Sequence, residues 1–217
     1  MHLLSLDDDV RTERFLAAAA VRFPEAARLQ ILLSQLDARR GRADAALERI
    51  NRTVDKTPTN VEALLVRAEI ATIAGSPDAM RFTQPLLAES ADAPAQLTWH
   101  SVKLLYACQL HNAGEKARAA ALMDEVLAAN DEALKGGADW PHVPLQNVTI
   151  HALRGNVPAA LDWLERAYQA GWRDARTTRV FPPWASLQRD PQFERLAARI
   201  EADVAAMRAR ADYAGLP

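Results

Sequence analysis

The 217-residue chain holds a single cysteine, Cys108, which excludes an internal disulfide framework. It lacks the β-branched and aromatic runs that form strands, and aromatic residues make up only 6% of it. No apolar run approaches the roughly 20 residues that a membrane span needs. The stretch from Met1 to Asp9 has neither a basic start nor a long apolar run and is not expected to act as a signal peptide. A basic excess is also missing. Lys and Arg number 26 against 28 Asp and Glu, with the signs interspersed, which excludes the basic stripe typical of nucleic-acid binding. The one local concentration, Arg39-Arg40-Gly41-Arg42, reads as a solvated helix end, where cations suit the dipole. These absences lead to the expectation of a soluble, cytoplasmic protein with no nucleic-acid or membrane partner. A periplasmic location stays open if a targeting or membrane segment has been removed.

What the chain has in excess is alanine, about a fifth of all residues, with Leu, Arg and Glu next. Alanine loses no side-chain entropy in a helix and long unbranched side chains lose little, so this mixture predicts an all-α protein.

Four glycines share one context: each follows an apolar-periodic stretch and precedes a polar residue and a second alanine-rich stretch. They are Gly41, Gly75, Gly114 and Gly155. The first interval is 75 − 41 = 34 residues, and the next two are 39 and 41. Five residues beyond each glycine stand Ala46, Met80, Ala119 and Ala160. Seven before each stand Ser34, Ala68, Ala107 and Val148. Nine beyond come Ile50, Gln84, Met123 and Leu164. Small residues let paired helices cross closely, glycine allows a left-handed turn between them, and Pro58 ends the first pair.

The ends and boundaries are readable on the same logic. Residues Asp7 to Phe23 read as the second helix of a pair whose first helix is absent, either a half-repeat cap or a continuation from a longer chain. Thr59 with Glu62 forms a capping-box pattern, Ser76 precedes Pro77 at a helix start, and Pro85 interrupts the second helix of its unit. Residues 131–140, with Gly136-Gly137, read as the longest loop. Phe181-Pro182-Pro183-Trp184 breaks the helical pattern, and Asp190-Pro191 opens a last helix to about Ala211. Its face carries Phe193, Leu196, Ile200, Val204 and Met207.

With these spacings and small-residue slots, residues 24–170 resemble the tetratricopeptide repeat family. The resemblance is strongest from Pro24 to Pro58 and from Leu145 to Gly171. It implies a right-handed α-solenoid of about four antiparallel helix pairs. Residues 1–23 would be a leading half-repeat, 24–130 three pairs, 141–171 a fourth, and 172–217 a loop and capping helix. Met80 in an alanine slot, Pro85 and the aliphatic residues in the signature aromatic slots are departures. The tail from Gly171-Trp172 to Phe193 is similar to tails of bacterial multidomain regulators, which implies a sensor or docking module.

In that family partners lie in a concave groove lined by the first helix of each pair. The corresponding positions are Arg28, Ile31, Gln35 and Arg39 in the first unit and Glu62, Leu65, Glu69 and Thr72 in the second. The third unit supplies Ser101, Leu104, Cys108, His111 and Asn112, and the last His142, Leu145 and Thr149. The carboxylate clamp of co-chaperone members is absent, because its slots hold Ile31, Gln35, Val66, Ser101 and Leu105.

Other chemistry finds little footing. No two of His2, His100, His111, His142 and His151 stand four apart, and neither HExxH nor CxxC occurs, so no metal or cofactor is expected. Cys108 and His111 are three apart and would share a helix face, either as a thiolate–imidazole pair or as a packing residue and a helix-end cation. No phosphate loop, GxSxG elbow or kinase motif is present, and no enzymatic role is expected. Trp163 reads as core; Trp99, Trp140, Trp172 and Trp184 read as binding anchors or as wedges between helix pairs. The reading that follows is a protein- or peptide-binding scaffold. The alternatives are self-association through the first helix into a homodimer, and a small-ligand sensor or enzyme at Cys108 and His111.

Overall fold

A glycine in the left-handed region ends helix after helix in this chain. The computed structural model describes residues 9–89, 101–138 and 140–210. Its helices are α1 (Asp9–Arg22), α2 (Ala27–Arg39), α3 (Ala43–Lys56), α4 (Val61–Ile73), α5 (Ala79–Thr83) and α6 (Leu86–Glu89). They continue with α7 (Val102–Asn112), α8 (Lys116–Lys135), α9 (His142–Leu153), α10 (Val157–Gln169), α11 (Ala175–Val180) and α12 (Pro191–Arg210). A single 3-10 turn, Pro182–Trp184, precedes α12, and no strand occurs among the described residues.

Gly41 shows how a reversal is made. At φ +74° its N–H donates to the Ala38 carbonyl, and the N–H of Arg42 donates to the Asp37 carbonyl. That double bond is the Schellman motif, which satisfies two carbonyls left without partners at the helix end. Gly75, Gly114 and Gly155 repeat the same pair of bonds. The residues flanking these turns then meet as the spacing requires. Ser34, Ala68, Ala107 and Val148 are fully buried, as are Ala46 and Ala160, and Ala119 nearly so. Met80, the larger residue in that slot, is only half-buried. Its helix is also the shortest of the four that follow these turns: α5 stops at Thr83, ahead of Pro85, which has no N–H to donate.

Consecutive helices pack on one another, α2 on α3, α3 on α4, α7 on α8 and α9 on α10. The buried apolar residues form clusters that follow this order. One joins Ile31, Ile50 and Val66; the next joins Leu65, Leu86 and Leu105; a third joins Leu104, Met123 and Ile150. A fourth gathers Leu145, Leu164, Trp184, Phe193 and Ile200.

Three boundaries differ from the sequence expectation in detail. Helix α4 is capped by Asn60, whose side chain accepts from the Ala63 N–H at 3.1 Å, rather than by the Thr59–Glu62 box. Asn caps at least as well as Thr, and Asn60 holds the extended backbone a cap requires. Helix α8 runs to Lys135, into the segment expected to be a loop. Its Asn130 is buried there and donates to Asn147 Oδ1 of α9 at 2.7 Å, a tertiary bond that keeps the last turns of α8 in place. Helix α5 begins at Ala79, after a Ser76 turn in which the Ser76 hydroxyl accepts from the Asp78 N–H. The last helix starts at Pro191 as its sequence indicates. Asp190 accepts from the Gln192 N–H at 2.8 Å, Phe193, Leu196, Ile200 and Val204 are buried, and Met207 is half-buried.

Gly155→Ala forces an L side chain into φ +72° although nothing stands within 4 Å of the added carbon. It is expected to lower unfolding free energy by about 1–2 kcal/mol through backbone strain alone, measured by urea denaturation. Gly136→Ala, at φ −74°, lacks the left-handed strain and meets only the Ala133 and Glu132 carbonyl oxygens, at 3.3 and 3.4 Å, so a smaller loss is expected there.

Candidate functional site

The residues after α10 turn back across the helices and reach α2. Asp174 caps α11: its Oδ1 accepts from the Thr177 N–H at 2.9 Å and its Oδ2 from the Thr177 hydroxyl at 2.9 Å. The same Oδ2 accepts from Arg39 Nη1 at 2.5 Å, although the two residues are 135 positions apart. Both side chains are buried, 8% and 5% exposed, so this contact lies inside the protein. Behind it, the Trp172 indole donates to the Thr178 hydroxyl at 2.9 Å. Further on, Phe181 and Trp184 meet edge to face at 5.4 Å, and the Trp184 indole donates to Thr149 Oγ1 on α9 at 2.9 Å.

This return path encloses a cavity of about 390 Å³ between α2, α4 and the 171–182 segment. Six of the residues expected to line a groove stand on its wall: Arg28, Gln35, Arg39, Glu62, Glu69 and His142. Arg28 and Glu62 are ion-paired across the rim. Leu32, Ile70 and Ile73 from the helices, with Trp172, Val180 and Phe181 from the tail, provide the apolar part. A second, smaller cavity of about 110 Å³ is bounded by Glu69, Thr72, Cys108 and Asn112, with Phe181 and Pro182 opposite. Glu69 lies on the wall of both.

The other expected groove residues have different surroundings. Ile31, Leu65, Leu104 and Leu145 are buried in the clusters between helices. Thr149 is buried beneath Trp184, and Ser101 caps α7 by accepting from the Leu104 N–H. His111 is half-buried and lines neither cavity. Asp174 and Phe181 were not among the expected site residues; Trp172, read from the sequence as a binding anchor or a wedge, lies buried on the cavity wall. The sequence before α11 does carry a cap signal, Asp174 three residues ahead of Thr177, but nothing local shows that the carboxylate meets Arg39.

The tryptophans divide by surroundings. Trp172 and Trp184 are buried, and Trp163 is partly buried with the Arg166 guanidinium 4.4 Å from its ring centroid. Trp140 is exposed; Trp99, His2 and His100 lie outside the described residues. A buried amide ties the second unit to the third. Gln109 Nε2 donates at 2.7 Å to both Thr72 and Thr83, whose own hydroxyls donate to the carbonyls of Ala68 and Ala79.

Burial pushes the Cys108 thiol up to about 12, the opposite of what a nucleophile requires. No hydrogen bond joins it to His111 among the described residues. Burial lowers the pKa of His151, and nearby Arg154 adds to the effect. Among the described residues no three His, Cys, Asp or Glu side chains come together in a metal-holding group, and no helix is long and apolar enough to cross a membrane. No protein-family model, curated protein or solved structure matches the chain.

Asp174→Ala removes the carboxylate that both caps α11 and receives the buried Arg39 guanidinium and is expected to cost about 3–5 kcal/mol, measured by urea denaturation. The double replacement Arg39→Met/Asp174→Leu removes both charges and is expected to recover most of that loss. Equal losses in the single and double variants would show that the ion pair is not the source.

Proposed function

We propose that the chain is a protein- or peptide-binding scaffold, built as a right-handed, tetratricopeptide-like solenoid and using its concave face for docking. Support for the architecture comes from the repeated glycine turns, the first pair 34 residues apart, each followed by a buried small residue or Met80 at a close crossing. The observation that carries the docking function is the cavity between α2, α4 and the tail. There, groove positions taken from helices far apart in sequence converge on one apolar-floored opening. An aromatic and proline segment of the chain itself, Phe181 followed by the 3-10 turn Pro182–Trp184, packs against α4, α7 and α9. A surface that packs such a segment internally has the pockets and hydrogen-bonding groups to take a similar one from a partner. A role as the docking or sensor module of a bacterial regulator fits this reading and rests on the similarity of the tail alone.

Peptides selected from a displayed random library on the full chain are expected to lose binding tenfold or more to Gln35→Trp. That replacement fills the cavity from a half-buried position on α2. Isothermal titration measures the loss. Peptides that bind this variant as tightly as the wild type would place the docking site elsewhere.

A second reading has its own observation. Helix α1 and the residue after it leave Phe15 40%, Val21 85% and Phe23 56% exposed. Its described buried side chains, Thr12 and Leu16, are few, and α1 packs chiefly on α2. An amphipathic helix with apolar residues left in water is suited to pairing with a second copy. Light scattering on a concentration series is expected to show a dimer that Val21→Glu dissociates. A wild-type monomer at several hundred micromolar, an order of magnitude above ordinary assay concentrations, would remove this reading.

A further inference from the structure

We infer that the larger cavity takes its partner as an extended segment, with the Gln35 carboxamide pairing to the main-chain N–H and C=O of one apolar partner residue. This deepens the docking reading above and rests on it. Gln35 stands midway along the face of α2 that forms one wall, with Arg28, Leu32 and Arg39 at helical spacing to either side. Most polar neighbours on the wall are engaged within the protein. Arg28 pairs with Glu62, Arg39 and Thr177 both donate to Asp174, the Trp172 indole donates to Thr178, and Arg173 pairs with Asp203 at 3.2 Å. Glu69 and His142 have interactions of their own. The Gln35 side chain makes no hydrogen bond to any described residue. It is half-buried on the wall, within reach of whatever fills the cavity.

A carboxamide carries one acceptor oxygen and two N–H donors side by side. An occupant that covers it without supplying counterparts leaves buried polar groups unsatisfied, which costs more than a good hydrogen bond contributes. The occupant therefore presents a donor beside an acceptor. An extended residue does so with its own N–H and C=O, which face one side of the chain, as in the doubly bonded pairs of an antiparallel sheet. A helix does not, because its main-chain groups are already bonded four residues apart along its own length. An Asn or Gln side chain carries the same pair of groups, but using it there leaves Leu32, Ile70 and Ile73 without an apolar partner. Pairing through the main chain frees the side chain to be apolar. Val180, on the same wall and 53% exposed, carries that apolar surface out into water, where an occupant covers it. The volume, about 390 Å³, holds one such residue with parts of its neighbours.

The test uses the full chain and the tightest binder, from a displayed random heptapeptide library, that Gln35→Trp weakens. The peptide is remade with each main-chain amide in turn replaced by an ester, which removes one N–H donor. One ester is expected to weaken binding about tenfold or more by isothermal titration. Against Gln35→Met, which keeps the side-chain length and removes the amide, the same ester is expected to cost less than about threefold. Gln35→Ala, read in the same way, stands in if circular dichroism shows that Gln35→Met has lost its fold. Ester effects that the folded variant leaves unchanged, or that spread evenly along the peptide as for a bound helix, overturn this inference and leave the docking reading standing. A binder whose own Asn or Gln side chain, changed to leucine, accounts for the Gln35-dependent loss does the same. A library that yields no binder weakened by Gln35→Trp overturns both.

Discussion

Reversing a helix within two residues, without stranding its last carbonyls, demands a backbone conformation that only glycine adopts at little cost. The chain meets that demand with the same pair of hydrogen bonds after α2, α4, α7 and α9. The turn fixes where the next helix starts, and so which residues lie at the crossing. Residues seven before and five after each glycine are buried except for half-buried Met80, and all but that one are alanine, serine or valine. The cores between helices follow from those crossings. Ile50, Met123 and Leu164, nine beyond three of the glycines, are all buried. Where the slot holds Met80 the second helix shortens to a few residues, and Gln109 compensates by bridging Thr72 and Thr83 across three helices.

The candidate site is a product of the tail and not of the paired helices alone. Helices α2 and α4 supply one wall, with Arg28, Gln35, Glu62 and Glu69; the residues from Gly171 to Pro182 supply the other. The Arg39–Asp174 contact brings the two walls together. Burying a guanidinium and a carboxylate costs each its hydration, so such a pair adds little net stability, yet removing one member is strongly destabilising. Asp174 lowers that cost by serving two elements at once, capping α11 and receiving Arg39.

How legible this was in the sequence depends on the range of the interaction. The glycine turns, the small crossings and the Asp190-Pro191 start are local signals, and each stands where its spacing placed it. Asn60 took the cap from Thr59 because two good capping residues stood side by side and only packing separates them. Helix α8 outran its expected end because Asn130 finds a partner in Asn147, on a different helix. Within the expected groove, Arg28, Gln35, Arg39, Glu62, Glu69 and His142 share a cavity, since their slots follow helix periodicity. Leu145 and Thr149 are covered by Trp184, whose position depends on the tail's fold. The meeting of Arg39 with Asp174 has no local signature, and so the cavity's second wall was not readable.

That contact changes how the molecule comes apart. In a stack of helix pairs that touch only their neighbours, stability is a chain of local terms, and the ends loosen first. Here the last residue of α2 is bonded to the cap of α11, 135 positions away, which closes a loop. Neither α2 nor α11 leaves without exposing the other's charge, and the helices between them lose their freedom to open singly. Helix α1, packed chiefly on α2 outside that loop, retains the behaviour of a free end, whereas α12, also outside it, is held by the core cluster it shares with α9 and α10. The larger cavity straddles the closure, so its walls exist as a pair only once the whole circuit has formed. An occupant there would stabilise the complete circuit by mass action instead of one repeat, and its binding would report on the folding of the entire loop.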